Sequence, residues 1–370
     1  MNTNFKSTSK SCLQSYILPS LTGRGSLLES VALHWGRVCF FLLSLLLFAA
    51  CSSDNDEQVQ QPQPEKSYPL TIEVTENPMT GDGENSSNRA AIKTLSTFDS
   101  FKMHYAYEGG HSDDEELETG ILATNDGDGK WTTSGSWPLT VGDEDMVTWY
   151  AQSNGSFLYN SGNPYVSFTV DENATIQKDL LVAKTAGTKK GTNSILSFTF
   201  NHVCSALRFF VKKSTNLNSY TVNITSVRLC NVIKQGKYYF GTSSWNTTEY
   251  TSKRSNYTLY TGTAITLGSS SSDWKPLNGG TNDITGTNPY LFLIPQTLTA
   301  WNTSTAIASA TTQSYIEIEC TISGATNYSG TAYIPFGYTL EKGTVYNNLK
   351  INIGKNSLYK APNTLIIPAS

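Results

Sequence analysis

The amino-acid sequence predicts an all-β protein built as two tandem β-sandwich domains. Three observations lead there. From Ala90 onward short apolar runs alternate with polar residues at a period of two, clusters of Gly, Asn, Asp and Ser separate them, and no long amphipathic helical pattern interrupts the series. Composition agrees, with aromatic residues at 11%, 20 Tyr, 28 Gly and charged residues at only 15%. About 320 residues follow Cys51, too many for one ordinary core and a natural size for two domains.

Residues 1–34 hold Pro, Gly and Ser without periodicity, the look of an extended leader or of a start codon assigned too far upstream. Residues 38–50 are apolar except for Ser44, and this run is shorter than the ~20 residues a membrane-spanning helix needs. It reads as the h-region of a signal peptide, with Arg37 before it and the small residues Ala49 and Ala50 at the cleavage point. Cys51 is then the first mature residue. LLLFAAC resembles a bacterial lipobox, in which the cysteine is acylated, with Phe48 where Leu is commonest. The alternative is an ordinary secretory signal with an incidental cysteine. One acyl chain binds a membrane marginally and two bind it stably, so a diacylated Cys51 ties the chain to a membrane. Residues 1–50 carry four basic groups and one acid, so their removal takes the net charge from −4 to −7, which argues against a nucleic-acid partner.

Along the mature chain, Ser52 to Lys66 is rich in Gln, Pro and acids and reads as a tether. In SYPLTIEVTENP, Leu70, Ile72 and Val74 alternate with Thr71, Glu73 and Thr75, the pattern of a strand buried on one face. MTGDGENSSNR follows as an exposed polar loop closed by Arg89, where a trypsin-like protease finds its residue; a solvated arginine is the alternative. Strands are expected at FKMHYAY, ETGILAT, KWTTSG, MVTWYAQS and PYVSFTV. NDGDG (125–129) lacks the distal glutamate and flanking helices of a calcium loop and predicts a hairpin turn. HSDDEE (111–116) reads as a solvated loop. AGTKKGTNS (186–194) is a candidate domain boundary, after which a second β series runs from ILSFTF to YNNLKINI. Cys204, Cys230 and Cys320 all fall in strand-like runs and read as buried free thiols, with one disulfide as the alternative.

Five phrases in order resemble the fimbrillin-like lipoproteins of Bacteroides-type bacteria, the subunits of type V pili. They are SWPLTVGDEDMVTWYAQS (136–153), DLLVAKT (179–185), FTFNHVCSALRFFV (198–211), LIPQTLT (293–299) and LEKGTVYNNLKINI (340–353). Residues 52–57, SSDNDE, resemble the acidic signal that exports such lipoproteins to the cell surface. The resemblance implies two transthyretin- or Ig-like sandwiches, here 90–188 and 189–370, after a signal peptide (1–50) and a lipidated tether with a removable first strand (51–89). It implies cleavage between Arg89 and Ala90, loss of the strand carrying Leu70, Ile72 and Val74, and refilling of the groove by a donor strand from another fimbrial subunit. The lipid on Cys51 then holds the chain at the outer membrane before processing, and a host or bacterial surface receptor is an expected further partner. Near the C-terminus Leu365, Ile366 and Ile367 are the candidate donor, confined between Pro362 and Pro368; a local strand or a frayed end are the other readings of this tail. Its shortness favours a tip or accessory subunit over a stalk subunit.

Two other function classes compete with this one. An enzyme finds little support, since after Cys51 the histidines are His104, His111 and His202, without a G-x-S-x-G elbow or an H-E-x-x-H pair. His202 shares the inward phase of Phe198 and Phe200 and reads as a satisfied core histidine. No cofactor and no metal are called for. The second rival is a non-polymerising glycan-binding surface lipoprotein, for which an exposed pair among Trp131, Trp245, Trp274 and Trp301 would speak.

Overall fold

The computed structural model describes residues 67–81, 100–107, 120–277 and 290–367, apart from 128, 140, 161, 175, 192, 193 and 363. The first half of the chain contributes β1 (Thr71–Asn77), β2 (Thr80–Gly81), β3 (Ser100–Tyr107), β4 (Ile121–Asn125), β5 (Trp131–Thr133), β6 (Val147–Gln152), β7 (Ser156–Asn160), β8 (Asn163–Thr169), β9 (Leu181–Thr188) and β10 (Ile195–His202). The second half adds β11 (Ser205–Lys213), β12 (Thr221–Ile233), β13 (Gln235–Tyr239), β14 (Ser244–Asn246), β15 (Arg254–Thr266), β16 (Lys275–Leu277), β17 (Leu291–Leu293) and β18 (Thr297–Leu298). It closes with β19 (Tyr315–Ser323), β20 (Tyr328–Pro335), β21 (Tyr338–Thr339), β22 (Thr344–Ile353), β23 (Tyr359–Lys360) and β24 (Thr364–Leu365). The all-β expectation holds: helical pieces among the described residues are short 3-10 turns such as Thr215–Leu217.

Alternation in the sequence explains the strands. β10, ILSFTFNH, buries Leu196, Phe198, Phe200 and His202 and exposes the residues between them. β19 repeats the device with Ile316, Ile318, Cys320 and Ile322. NDGDG is a hairpin turn between β4 and β5, with the Gly127 amide bonded to Asn125 Oδ1 at 2.9 Å. Gly127 adopts φ +95°, a conformation that needs glycine there.

The first sheet runs β1-β10-β9-β6-β3-β4-β5. Its two ends meet again, because Pro69 bridges Ser136 and the Trp137 amide donates to the Tyr68 carbonyl at 2.8 Å, so the sheet curls on itself. Inside the curl lies one apolar cluster, in which the Phe101 ring stands 4.9 Å from Trp131 and 4.9 Å from Phe200. β10, reached directly after the polar stretch 186–194, supplies Leu196, Phe198 and Phe200 to this same cluster. The central strand β6 is buried on both faces: Trp149 and Ala151 enter the first cluster, while Tyr150 enters a second. That larger cluster packs among sheets β16-β11-β22-β2 and β15-β12-β19-β20-β23-β24, with β7, β8 and β13 alongside. Cys204, Cys230 and Cys320 are buried there or at its margin as free thiols.

Deleting a side chain inside the curl should cost far more than deleting one outside it. Phe198→Ala is expected to lower the unfolding free energy by about 3–5 kcal/mol, and Ile195→Ala on the exposed phase of the same strand by under ~1 kcal/mol. Urea unfolding of both variants checks this, and equal losses would refute the phase assigned to β10.

Candidate functional site

β1 is an edge strand whose flanks are fixed by proline. Pro69 and Pro78 lack the amide hydrogen that would carry a ladder further, so Leu70 to Asn77 is the stretch free to pair. It pairs in parallel with β10, from Thr71 opposite Ile195 to Asn77 opposite Asn201. On the outward face Thr75 and Thr199 share a hydroxyl hydrogen bond at 3.0 Å, and Asn77 Nδ2 donates to Asn201 Oδ1 at 2.9 Å. Inward, Leu70 and Ile72 are buried and Val74 is half-buried against Leu196, Phe198 and Phe200. Past the Pro69–Ser136 bridge the two ends of the sheet part, leaving a cleft of about 590 Å³ lined by Leu70 to Thr75 and Gly129 to Thr133. Among the described residues β1 has a strand partner on one side only along this cleft, which is where a sheet accepts or releases a strand.

The segment continues into the second cluster. Met79 is buried there, the Thr80 amide donates to the Gly343 carbonyl at 2.9 Å, and Thr80–Gly81 runs parallel to β22 at Thr344 and Val345. The expected exposed loop therefore begins later than Met79, because a methionine side chain gains more in the core than in water. One short piece of chain thus covers the edges of two sheets.

The inward stripe of β1 ends in a charge. Glu76 continues the phase of Leu70, Ile72 and Val74 and accepts a hydrogen bond from His202 Nε2 at 2.6 Å. His202 likewise continues the stripe Leu196, Phe198, Phe200, and its Nδ1 donates to Asp179 Oδ2. The imidazole and Asp179 are buried and Glu76 is nearly so. Burial alone would lower the His202 pKa, but the hydrogen bonds and charges of Asp179 and Glu76 outweigh it and raise it to about 9. Burial, together with the Asp179 carboxylate, pushes the adjacent Cys204 thiol up as well. An imidazolium between two carboxylates fastens the end of β1 to the body. His202 was legible as a satisfied core histidine; its two acidic partners were not, although the inward phase of Glu76 was a signal.

Other predicted positions are distributed as follows. Cys51, Arg89, Ala90, the tether and HSDDEE lie outside the described residues. In the tail, Leu365 sits in β24, paired with Tyr359 of β23, and Ile366 and Ile367 are buried in the second cluster. Of the four tryptophans, Trp131 and Trp301 are buried. Trp245 is half-buried with Nε1 donating to the Val203 carbonyl at 2.6 Å, and Trp274 is half-buried between the amines of Lys212 and Lys350. They do not form an exposed pair.

The charge cluster has a pH signature. A histidine raised to about 9 from its ordinary value near 6.5 supplies stability that is complete below pH ~6.5 and is lost as pH rises through about 9. Wild type minus His202→Gln is expected to lose up to about 3 kcal/mol of unfolding free energy across that window. A pH series of denaturant melts reads it, and a difference that stays flat would refute the charged state. In the same assay Ile72→Ala should cost about 2–4 kcal/mol.

The fimbrillin-like family model matches residues 88–366, well over half of the chain. No curated protein matches in sequence. Among solved structures, a fimbrial protein of Bacteroides vulgatus is similar at 15% identity and a TM-score of 0.49, covering 79% of this chain and 96% of its own. A candidate cell adhesion protein of Bacteroides eggerthii is similar at 16% identity and a TM-score of 0.42, covering 83% and 94%. On the extent of the family match, the chain belongs to the fimbrillin-like family.

Proposed function

We propose that the protein is a structural subunit of a cell-surface fimbrium with a role in adhesion, assembled by removal of its N-terminal strand and insertion of a strand from another subunit. The observation that carries this is the seat of β1: seven residues in parallel register at a sheet edge, with an apolar stripe beneath and a cleft beside it. Loss of such a strand bares a row of backbone donors and acceptors together with the groove left by Leu70, Ile72 and Val74, and a second chain fills it by strand addition. The order of events follows from the chain. Cys51 is acylated and holds the precursor at the outer membrane; cleavage between Arg89 and Ala90 severs lipid and strand together.

The tail bears on position in the fibre. Ile366 and Ile367 are packed in their own core and the Ile366 amide donates to the Leu358 carbonyl at 3.0 Å, so donating this segment means unfolding it first. That supports a tip or accessory subunit over a stalk subunit.

Protein recovered from the native cell surface should begin at Ala90 and carry no lipid. Arg89→Ala should leave an acylated Cys51 start and prevent the high-molecular-weight species that unheated gels of the wild type are expected to show. An acylated start for the wild-type protein within fibres would refute strand removal.

A further inference from the structure

When β1 departs, the apolar groove is the smaller problem for its successor. Leu196, Phe198 and Phe200 accept any apolar residue of fitting size at alternate positions. His202 does not. Its Nδ1 is bonded to buried Asp179, its Nε2 points at the place where Glu76 stood, and its side chain is 2% exposed in the closed groove. An apolar side chain at that place buries an N–H without an acceptor, and a neutral acceptor restores a bond about half as strong as a charged one. The outward face imposes nothing comparable, since Glu73 and Thr75 on that phase are exposed.

We infer that the strand which replaces β1 is recognised by an acidic side chain set in register with Glu76, two positions beyond the last of its alternating apolar residues. This rests on the strand-replacement reading above and adds the chemistry of the partner to it. The carboxylate also fixes register: a donor slipped by two residues puts an apolar side chain on His202, and one slipped by a single residue turns its whole apolar stripe outward. Residues 357–370, SLYKAPNTLIIPAS, contain no Asp or Glu, so this segment does not supply the carboxylate. A donor segment that does reads apolar-x-apolar-x-apolar-x-acid.

The test uses the mature chain nicked after Arg89 and still holding its own strand, challenged with labelled peptides of the sequence 67–81. The unaltered peptide should exchange in, the Glu73→Gln peptide should match it within twofold, and the Glu76→Gln and Glu76→Met peptides should exchange at least about tenfold more weakly at pH 7. In a His202→Gln body the Glu76→Gln penalty should shrink below about threefold, though the wild-type body alone decides the matter. Equal affinity of the Glu76→Gln, Glu76→Met and unaltered peptides overturns the acidic requirement and leaves strand replacement standing. Failure of every peptide to exchange overturns both.

Discussion

The hydrogen-bonded edge of β10 is the constraint on which the rest of the molecule depends. A strand in the middle of a sheet satisfies its backbone on both sides, and β9 does that for one side of β10 only at Asn201 and His202. Along the remaining residues β10 relies on β1 for its ladder, from Ile195 to Asn201. β10 also carries three of the residues that fill the curled first sheet, Leu196, Phe198 and Phe200. The core of that sheet is therefore finished only when a strand lies on β10. An apolar groove left open to water is costly, and the unpaired backbone groups beside it invite pairing with any extended chain.

What holds β1 differs along its length. At its start Leu70 and Ile72 contribute by burial, each on the order of 1.5–3 kcal/mol. Midway Val74 is half-buried and contributes less. At its end the contribution passes to Glu76 and the charge on His202, and beyond Pro78 to Met79 in the other cluster. The charge cluster is the least permissive of these. Packing tolerates substitution by residues of similar volume, whereas a buried imidazolium that loses one of two carboxylates keeps its desolvation and loses part of what offset it. Apolar contacts thus hold most of β1, and the histidine is its most demanding contact.

Much of this was legible in the sequence, for physical reasons that also explain what was not. Alternation at period two is imposed by the pleat, so Leu70, Ile72 and Val74 and the inward face of β10 could be read from residue order alone. The Asp-Gly turn at 125–129 was legible because its glycines serve a conformation other residues avoid. Pairing between β1 and β10 was not, because their partners stand 124 residues apart in the chain and no local pattern encodes a parallel contact at that distance. The role of Glu76 was not legible, since a carboxylate on the inner face makes sense only once His202 is known to lie against it. Met79 was hidden for a similar reason: it follows a proline in a polar stretch, and its burial depends on β22, which arrives some 260 residues later.

The bonding of β1 also bears on how it would leave under the proposed strand replacement. It is anchored at both ends, by the Pro69–Ser136 bridge where the sheet closes and by Thr80 against Gly343, with the His202 cluster between. A cut beyond Gly81 breaks none of these contacts, so cleavage by itself removes the covalent tie and leaves the strand seated. Release would then require the ladder to open from one end, and the cleft between β1 and β5 would give a replacing strand room to lie alongside. Exchange by this route would never leave the whole edge of β10 bare. On the proposed reading, a strand that replaced β1 by this route would have to take over from Glu76 the contact to His202.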